Sequence, residues 1–338
     1  MIYFDVTKTA AVRHRSGLAR LSARLRDELG EAASAGSWQE CSARATADDW
    51  FVTSELFSES ERPGFTEFLE ARRCRTAAIF ADAIPLKHPH ITWPQSVARH
   101  PHYLKLLARF DRVWAISQGS RDELCDYWRW LGLERKPPVE VLPLGADLAG
   151  TPRVVAPWPA PRARALLCVG ILEPRKNQLL LLNAAEALWH EGLDFDLHVV
   201  GRVNPHFGAP IVARVKALRQ AGRAVHHHAA ASDAALSQLF ATVRATVFPT
   251  MAEGCGLPLL ESLWQGVPCV CSDLPVLREN ADGGGCWLVP TGDPIAWVDA
   301  LRMILTDDAR CLQLATEARQ RPLPTWRAAA ERLRGGLK

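Results

Sequence analysis

Residues 249–266, PTMAEGCGLPLLESLWQG, combine two carboxylates with a glycine-containing loop. Glu253 stands just before the glycines, and Glu261 follows eight positions later. Pro258 favours a first helical turn, so the sequence predicts a helix from about Leu257 whose N-terminal amides face an anion. Carboxylates accept hydrogen bonds from sugar hydroxyls but do not hold phosphate, so the combination suggests a sugar nucleotide as ligand.

A second stretch upstream carries two cations. Residues 169–177, VGILEPRKN, follow an apolar run that predicts a strand, and the turn contains Arg175 and Lys176. Ligands of α/β proteins bind at the carboxyl ends of strands, where these cations would neutralise a diphosphate. Each feature alone has an ordinary explanation. Arg175 and Lys176 could form a solvated basic turn, Glu253 could cap the helix, and Glu261 could be a surface residue.

The elements that position these residues alternate between strand and helix. Strands are predicted at residues 1–6, 49–53, 76–81, 112–116, 139–142, 165–169, 195–200, 245–249 and 268–272, with helical patterns between many of them. Such alternation is typical of parallel sheets with helices on their faces. We therefore expect an α/β protein with two Rossmann-like domains whose sheets face an interdomain cleft.

A proline-rich segment divides the chain. Prolines at positions 152, 157, 159 and 161 exclude a helix or central strand there. The sequence predicts an N-terminal domain over residues 1–150, a linker over 151–163 and a nucleotide-sugar-binding domain over 164–322. A basic helical pattern follows over residues 323–338.

Composition limits the choice of partner and compartment. The 338 residues carry a formal net charge of only +3, so nucleic acid is not an expected partner. Nine unpatterned cysteines and no apolar leader favour the cytoplasm, and no apolar run is long enough to cross a bilayer. Arginines between Arg13 and Arg26 suggest peripheral contact with the inner face of a membrane, although an ordinary amphipathic helix explains them equally well.

The chain resembles the retaining glycosyltransferases of family 4, which have the GT-B fold, and in particular their mannosyltransferase-like branch. The motifs that carry this resemblance are VGILEPRKN, LHVVGR ending at Arg202, SDAALSQLF, the stretch VFPTMAEGCGLPLLESLWQGVPCVCSDLPVLREN, and PTGD. Before Gly150 the similarity is weaker and lies in SGLAR, ADAIPLKHP, VWAISQGSRDEL and VLPLGAD. The resemblance is therefore uneven but extends over the whole chain. It implies that the N-terminal domain binds the acceptor and that the final helix over residues 323–338 crosses back to that domain.

The resemblance implies roles for individual residues. Glu253 would contact hydroxyls of the donor sugar, Lys176 and Arg175 would bind the diphosphate, and Glu261 would hold the ribose. The other donor-binding residues would be Gly17, Gly170, Arg202, Gly254, Cys255, Gly256 and Leu257. No metal ion and no cofactor beyond the nucleotide sugar donor would be required.

Three positions depart from the family pattern. Many relatives carry a His-Asp pair where this chain has Ala81 and Asp82, so either Asp82 or His88 replaces the histidine, or that contact is absent. Ile171 stands where relatives often have arginine, which shifts that role to Arg175. Cys255 replaces an aromatic residue and is expected to alter packing more than chemistry.

The function implied is retaining transfer of a hexosyl group to a glycan or lipid-linked oligosaccharide. GDP-mannose ranks first as donor, ahead of dTDP-rhamnose and UDP-sugars. His88, Trp128 and Trp130 are candidates for contact with the acceptor, and aromatic burial explains the tryptophans equally well.

Other classes of protein remain open. A catalytically idle GT-B protein that binds sugar nucleotides or organises partner enzymes would fit the missing histidine. The HPH motifs at residues 88–90 and 100–102 suggest a zinc-dependent hydrolase, but their proline excludes the spacing of a zinc-binding helix and places them in loops. The epimerase relatives of the GT-B fold are a third alternative.

Overall fold

The computed structural model describes residues 1–11, 17–148, 151–158 and 160–338. Arg13, Arg15 and Ser16 of the predicted basic segment, the domain limit at Gly150 and the linker's Pro159 lie outside them. The chain forms two compact units, one of Met1–Gly145 with Pro324–Lys338 and one of Ala146–Leu323. We call these the N-terminal and the C-terminal unit.

The C-terminal unit begins before the predicted linker. Val154 N donates to Trp264 O (3.1 Å), Trp264 Nε1 donates to Thr151 O (3.2 Å), and Trp158 is buried. These contacts pack the described part of residues 151–163 on the C-terminal unit. The division between the units therefore falls at residues 145 and 146 rather than at 150 and 151.

The N-terminal unit contains a six-stranded parallel sheet. Its strands are β1 (Ile2–Asp5), β2 (Ala33–Gly36), β3 (Trp50–Thr53), β4 (Arg75–Phe80), β5 (Arg112–Ala115) and β6 (Val139–Val141), in the order β2-β1-β3-β4-β5-β6. All four side chains of β3 are buried, as expected for a parallel strand covered on both faces. Each strand predicted here is present within one or two residues.

Helices cover both faces of this sheet. They are α1 (Gly17–Leu29), α2 (Trp38–Arg44), α3 (Phe65–Ala71), α4 (Ile84–Lys87), α5 (Pro94–Leu107) and α6 (Gln118–Trp130). In α1, Leu21, Leu25 and Leu29 recur at helical spacing and are buried. Phe51, Phe65 and other aromatic residues fill the space between α2, α3 and the sheet.

The C-terminal unit contains a second six-stranded parallel sheet. Its strands are β7 (Ala165–Val169), β8 (Asp196–Val200), β9 (Val225–His228), β10 (Ala245–Phe248), β11 (Cys269–Ser272) and β12 (Cys286–Val289), in the order β12-β11-β10-β7-β8-β9. The order of strands reverses between β7 and β10, which are hydrogen-bonded neighbours. Ligands of doubly wound sheets bind at such a switch point, outside the carboxyl ends of the two strands.

The remaining helices complete both units. They are α7 (Gln178–His190), α8 (Ala209–Gln220), α9 (Asp233–Thr242), α10 (Leu257–Trp264), α11 (Pro275–Ala281), α12 (Pro294–Thr306), α13 (Asp308–Gln320) and α14 (Trp326–Gly336). Helix α14 belongs to the N-terminal unit, where it packs on α1. Trp326 is buried there, and its backbone lies so close to Gly145 that a side chain at that glycine would collide with it.

Within the described residues, none of the helices is long and apolar enough to cross a membrane.

Candidate active site

The turn that carries Arg175 and Lys176 and the glycine-containing loop of residues 253–256 form one continuous surface of the C-terminal unit. The first follows β7 and the second follows β10, so their carboxyl ends are adjacent. Met251 N donates to Arg175 O (2.8 Å), and the Arg175 guanidinium donates to Ala252 O (2.9 Å). The switch point therefore holds both motifs that the sequence singles out.

Lys176 and Glu253 form a buried ion pair at this point. Lys176 Nζ lies 2.6 Å from Glu253 Oε1, and the two side chains are only 10% and 8% exposed. Burial would raise the pKa of Glu253, but Lys176 and Arg175 lower it below its usual value. Burial lowers the pKa of Lys176 despite the attraction of Glu253. The pair thus keeps a carboxylate ionised inside the unit.

The two oxygens of Glu253 have different surroundings. Oε1 accepts from Lys176 Nζ (2.6 Å) and from Thr250 Oγ1 (2.6 Å), and it lies 3.1 Å from the Arg175 guanidinium. Within the described residues, Oε2 takes part in none of these contacts. The carboxylate is therefore held by one oxygen, and the other is available to accept a hydrogen bond from a ligand.

This arrangement excludes the simpler explanation that Glu253 caps the following helix. The residue before α10 is Gly256, and no side chain caps the helix there. Gly256 has φ +86°, and a Cβ there would lie 2.5 Å from Leu277 Cδ2. Glycine is therefore required at this turn for conformation and for space. The first turn of α10 follows directly, with Pro258 in it as predicted.

Cys255 and Glu261 are buried on either side of this turn. Asn280 donates its amide to Cys255 O, and burial raises the pKa of the Cys255 thiol to about 12. A neutral thiol in this position packs and does not react. Glu261 lies in the second turn of α10 and is 4% exposed. Gly254 lies between Glu253 and Cys255 in the loop, and the predicted roles of Glu261 and Gly254 toward a donor stay predictions.

Gly170 and Arg202 lie at the same edge of the sheet, after β7 and β8. Gly170 N donates to Val200 O (2.9 Å), and Leu172 N donates to Arg202 O (2.9 Å). A Cβ at Gly201, which has φ +153°, would lie 2.0 Å from Gly170 O. The side chain of Arg202 is exposed, so it can reach a ligand at this edge.

The predicted site residues of the N-terminal unit follow its own strands or begin its helices. Gly17 is the first residue of α1, and a Cβ there would meet no described atom within 4 Å. Asp82 follows β4, and its Oδ1 accepts from Ile84 N (3.0 Å). His88 ends the short helix α4 and is half-buried. Their roles toward a donor or acceptor stay predictions.

Two expectations for this unit are wrong. Trp128 is fully buried, and its indole N–H donates to Leu104 O (2.8 Å), so its ring faces the core and not an acceptor. The HPH motif at residues 100–102 lies inside α5 and not in a loop. His100 is 2% exposed, and burial lowers its pKa to about 4 despite a hydrogen bond with the Asp82 backbone. Trp130, in contrast, is 78% exposed.

No set of three or more His, Cys, Asp or Glu side chains among the described residues is arranged to hold a metal ion.

Comparison with known proteins shows which proteins this chain is similar to. Residues 163–307 match the family described as Glycosyl transferases group 1. The chain is 28% identical over 249 residues to the serotype-specific mannosyltransferase WbdA of Escherichia coli. The aligned region covers 69% of this chain and 30% of that protein. The chain thus spans less than a third of the length of this curated relative.

Solved structures share the fold of the whole chain. Sucrose-phosphate synthase from Thermosynechococcus elongatus is 18% identical with a TM-score of 0.70, over 99% of this chain and 97% of that one. Anabaena Alr3699/HepE, solved with UDP and glucose, is 13% identical with a TM-score of 0.69, over 94% and 93% of the two chains. The α/β architecture is that of the GT-B fold, as predicted.

Residues 163–307 of the C-terminal unit are therefore similar to the group 1 glycosyl transferases. The expected resemblance to family 4 glycosyltransferases and to their mannosyltransferase-like branch is confirmed.

Proposed function

We propose that this protein is a retaining glycosyltransferase that moves a mannosyl group from GDP-mannose to a glycan or lipid-linked oligosaccharide. The observation that carries the proposal is the cluster of Lys176, Arg175 and Glu253 at the switch point between β7 and β10. It combines cations for a diphosphate with a carboxylate oxygen for a sugar hydroxyl.

In this proposal the sugar is bound by the open oxygen of Glu253. Lys176, Thr250 and Arg175 hold the other oxygen and keep the carboxylate ionised, so Oε2 accepts a hydrogen bond from a hydroxyl of the donor sugar. The amides of the loop before α10 and the positive end of that helix favour the anionic diphosphate. Glu261 is assigned to the ribose.

The chemical step breaks the bond between the anomeric carbon and the diphosphate oxygen. The oxygen of the acceptor hydroxyl forms the new bond on the same face of the sugar, and its proton leaves with the diphosphate. Negative charge grows on the diphosphate as it departs, and Lys176 and Arg175 stabilise that charge in a poorly solvated place. Because these two side chains supply the positive charge, we expect the reaction to proceed in the presence of EDTA.

The proposed donor and the proposed acceptor are supported by different arguments. GDP-mannose is ranked first because the curated relatives with matching sequence include mannosyltransferases, and dTDP-rhamnose and UDP-sugars follow. The acceptor is expected at the inner face of the membrane in the cytoplasm, where the basic segment that ends at Arg26 would attract anionic lipid. The side chain of Arg26 is 40% exposed. Trp130 and His88 remain the candidates for acceptor contact.

Two measurements test the proposal. Thermal unfolding with GDP, UDP, dTDP or no nucleotide should show selective stabilisation by GDP, because ligand that binds only the native state raises the unfolding temperature. Transfer of mannose to a synthetic lipid-linked acceptor, followed by NMR of the anomeric proton, reports activity and retention. Stabilisation by none of the nucleotides would favour the idle scaffold protein, and an inverted product would exclude the retaining mechanism.

Glu253→Gln tests the site itself. The glutamine keeps the size of the side chain but removes the charge that pairs with Lys176 and Arg175. We expect transfer to fall by about a hundredfold or more while GDP still stabilises the protein, since loss of one charged contact in a transition state costs roughly 3 kcal/mol. Glu186→Gln, which removes the partner of Arg214 in an ion pair away from these contacts, serves as the matched control.

A further inference from the structure

Asn280 connects helix α11 to the glycine-containing loop that follows Glu253. Its side-chain amide donates to Cys255 O and also lies by the Cys255 thiol. Burial raises the pKa of that thiol, and the hydrogen bond from Asn280 opposes the rise. Leu277, three positions earlier on α11, packs against Gly256, where a Cβ would lie 2.5 Å from Leu277 Cδ2 and 3.6 Å from Asn280 Nδ2. Two side chains on one face of α11 thus hold the peptide between Cys255 and Gly256.

The contact with Asn280 determines which way this peptide faces. A peptide group is planar, and none of the described peptide bonds is cis, so the N–H of Gly256 points opposite to the carbonyl of Cys255. That carbonyl is turned toward α11, which follows β11 on one side of β10. The turn of Arg175 and Lys176 follows β7, on the other side of β10. The N–H of Gly256 is therefore directed away from α11 and toward the side of β10 that carries the two cations.

Phe248 places Gly256 beside Lys176. It is the last residue of β10, and a Cβ at Gly256 would lie 3.7 Å from its Cε1. Lys176 Nζ lies 4.9 Å from the centroid of the same ring. The glycine and the ammonium group therefore lie against one aromatic side chain. The peptide that Asn280 holds thus belongs to the site around Lys176 and Glu253.

Two amides of this loop are open to a ligand. Among the residues that the structure describes, neither Cys255 N nor Gly256 N donates a hydrogen bond to another group. Open amides at the start of a helix favour an anion, and α10 begins at the next residue, Leu257. In the proposed function Glu253 binds the donor sugar. The anion next to it is therefore the phosphate that carries this sugar.

We infer that Asn280 is a positioning residue that turns the amide of Gly256 toward the phosphate that carries the donor sugar. The inference rests on the proposed function, in which this loop binds the donor. Asn280 itself does not touch the substrate. It acts through the carbonyl of Cys255, which it holds on the side away from the ligand.

Asn280→Leu removes the amide donor and nearly keeps the size of the side chain, and Asn183→Leu is its matched control. Asn183 is exposed on α7 of the same unit and accepts from Arg214 Nε (3.2 Å), away from the loop. Calorimetric titration with GDP and with GMP isolates the phosphate that carries the sugar, because GMP lacks it. We expect Asn280→Leu to weaken GDP binding by about tenfold and GMP binding by less than about twofold, since a hydrogen bond to a charged group is lost. Asn183→Leu should change neither, and UDP with UMP and dTDP with dTMP are titrated in the same way.

Alkylation of Cys255 reports on the loop without any ligand. The thiol is buried and its pKa is about 12, so iodoacetamide reacts with it only when the loop opens. Peptide mass spectrometry distinguishes it from the other cysteines, and we expect it to react about tenfold faster in Asn280→Leu than in Asn183→Leu. Asn280→Gln, which keeps an amide donor one carbon farther out, should recover part of the protection and of the GDP affinity. If Asn280→Leu does not fold, Asn280→Ala removes the same donor and favours the helix.

The outcomes separate this inference from the proposed function. Equal alkylation of Cys255 in the two leucine variants, or an equal loss of affinity for GDP and GMP, would overturn the positioning role. Faster alkylation with unchanged GDP affinity would overturn it as well, because the loop would then not serve the phosphate. If the unmodified protein binds none of the three nucleoside diphosphates but alkylation accelerates as expected, the contact of Asn280 with the loop stands and the proposed function fails.

Discussion

Thr250→Val is the sharpest test of how Glu253 is held. Thr250 is fully buried, and its hydroxyl lies 2.6 Å from Glu253 Oε1. Valine has nearly the same shape but no donor, so the substitution leaves Oε1 with its two cations alone. We expect the side chain of Glu253 to turn toward Lys176 and its open oxygen to lose alignment with the sugar.

The size of the effect follows from the bond that is removed. A hydrogen bond to a charged group contributes about 1.5–3 kcal/mol. If that alignment is needed only in the transition state, kcat should fall by about ten- to hundredfold with little change in KM. The assay is initial-rate transfer of mannose over a range of donor concentrations.

Thr246→Val is the matched control. Thr246 is a buried threonine on β10 whose hydroxyl makes a bond of the same length, 2.6 Å, to Ser262 Oγ, away from Glu253. It should lose stability but not catalysis, and Thr250→Ser should restore most of the rate. The reasoning would be refuted by a Thr250→Val protein as active as the original, or by an equal loss of kcat in both valine variants.

Two further predictions concern stability. Burial lowers the pKa of His100 to about 4, so the stability from its neutral form is present above pH 6.5 and lost as the pH falls toward 4. Urea titrations should therefore show a free energy of unfolding about 2 kcal/mol lower at pH 5 than at pH 7 because of this group. His100→Phe should remove this part of the pH dependence. Gly201→Ala should destabilise the C-terminal unit by at least about 2 kcal/mol, because its Cβ would collide with Gly170 O. Gly292→Ala is the control: a Cβ there lies in open space, so stability should change by less than about 0.5 kcal/mol. A His100→Phe protein with the same pH dependence of stability as the original, or equal unfolding midpoints for the two alanine variants, would contradict these arguments.

The elements around the site could be predicted because their signals are local. Pro258 and the glycine at 256 define the start of α10, and the apolar runs of β7 and β10 match the buried strands. Strand β2 was missed because its sequence, ASAG, has no β-branched or aromatic residue, and it becomes a strand by pairing with β1. Pairing of this kind depends on tertiary context, which propensity does not contain.

The ion pair at the centre of the site could not be predicted in the same way. Lys176 and Glu253 are far apart in sequence and meet only because β7 pairs with β10 across the reversal of strand order. The sequence motifs indicated that the site contains cations and a carboxylate, but they did not show that Lys176 would contact Glu253. Which oxygen of Glu253 is left open is likewise a property of the packed structure.

The two errors had usable signals. Trp128 follows Leu124 by one helical turn in α6, and both lie on the buried face, whereas Trp130 lies two positions farther and is exposed. His100 precedes Leu104 and Leu107 at helical spacing in α5. The proline at position 101 was taken to exclude a helix, but packing of that apolar face maintains the helix despite the missing N–H.

The return of α14 to the N-terminal unit has a consequence for synthesis. On the ribosome, residues 1–145 emerge before the whole C-terminal unit, and the strip of α1 that α14 covers stays bare until residues 324–338 follow. At about 5–20 residues per second, that interval lasts roughly 10 to 35 s. During it the surface that receives Trp326 is open to chaperones or to neighbouring nascent chains, so the N-terminal unit is completed only after the C-terminal unit has been synthesised.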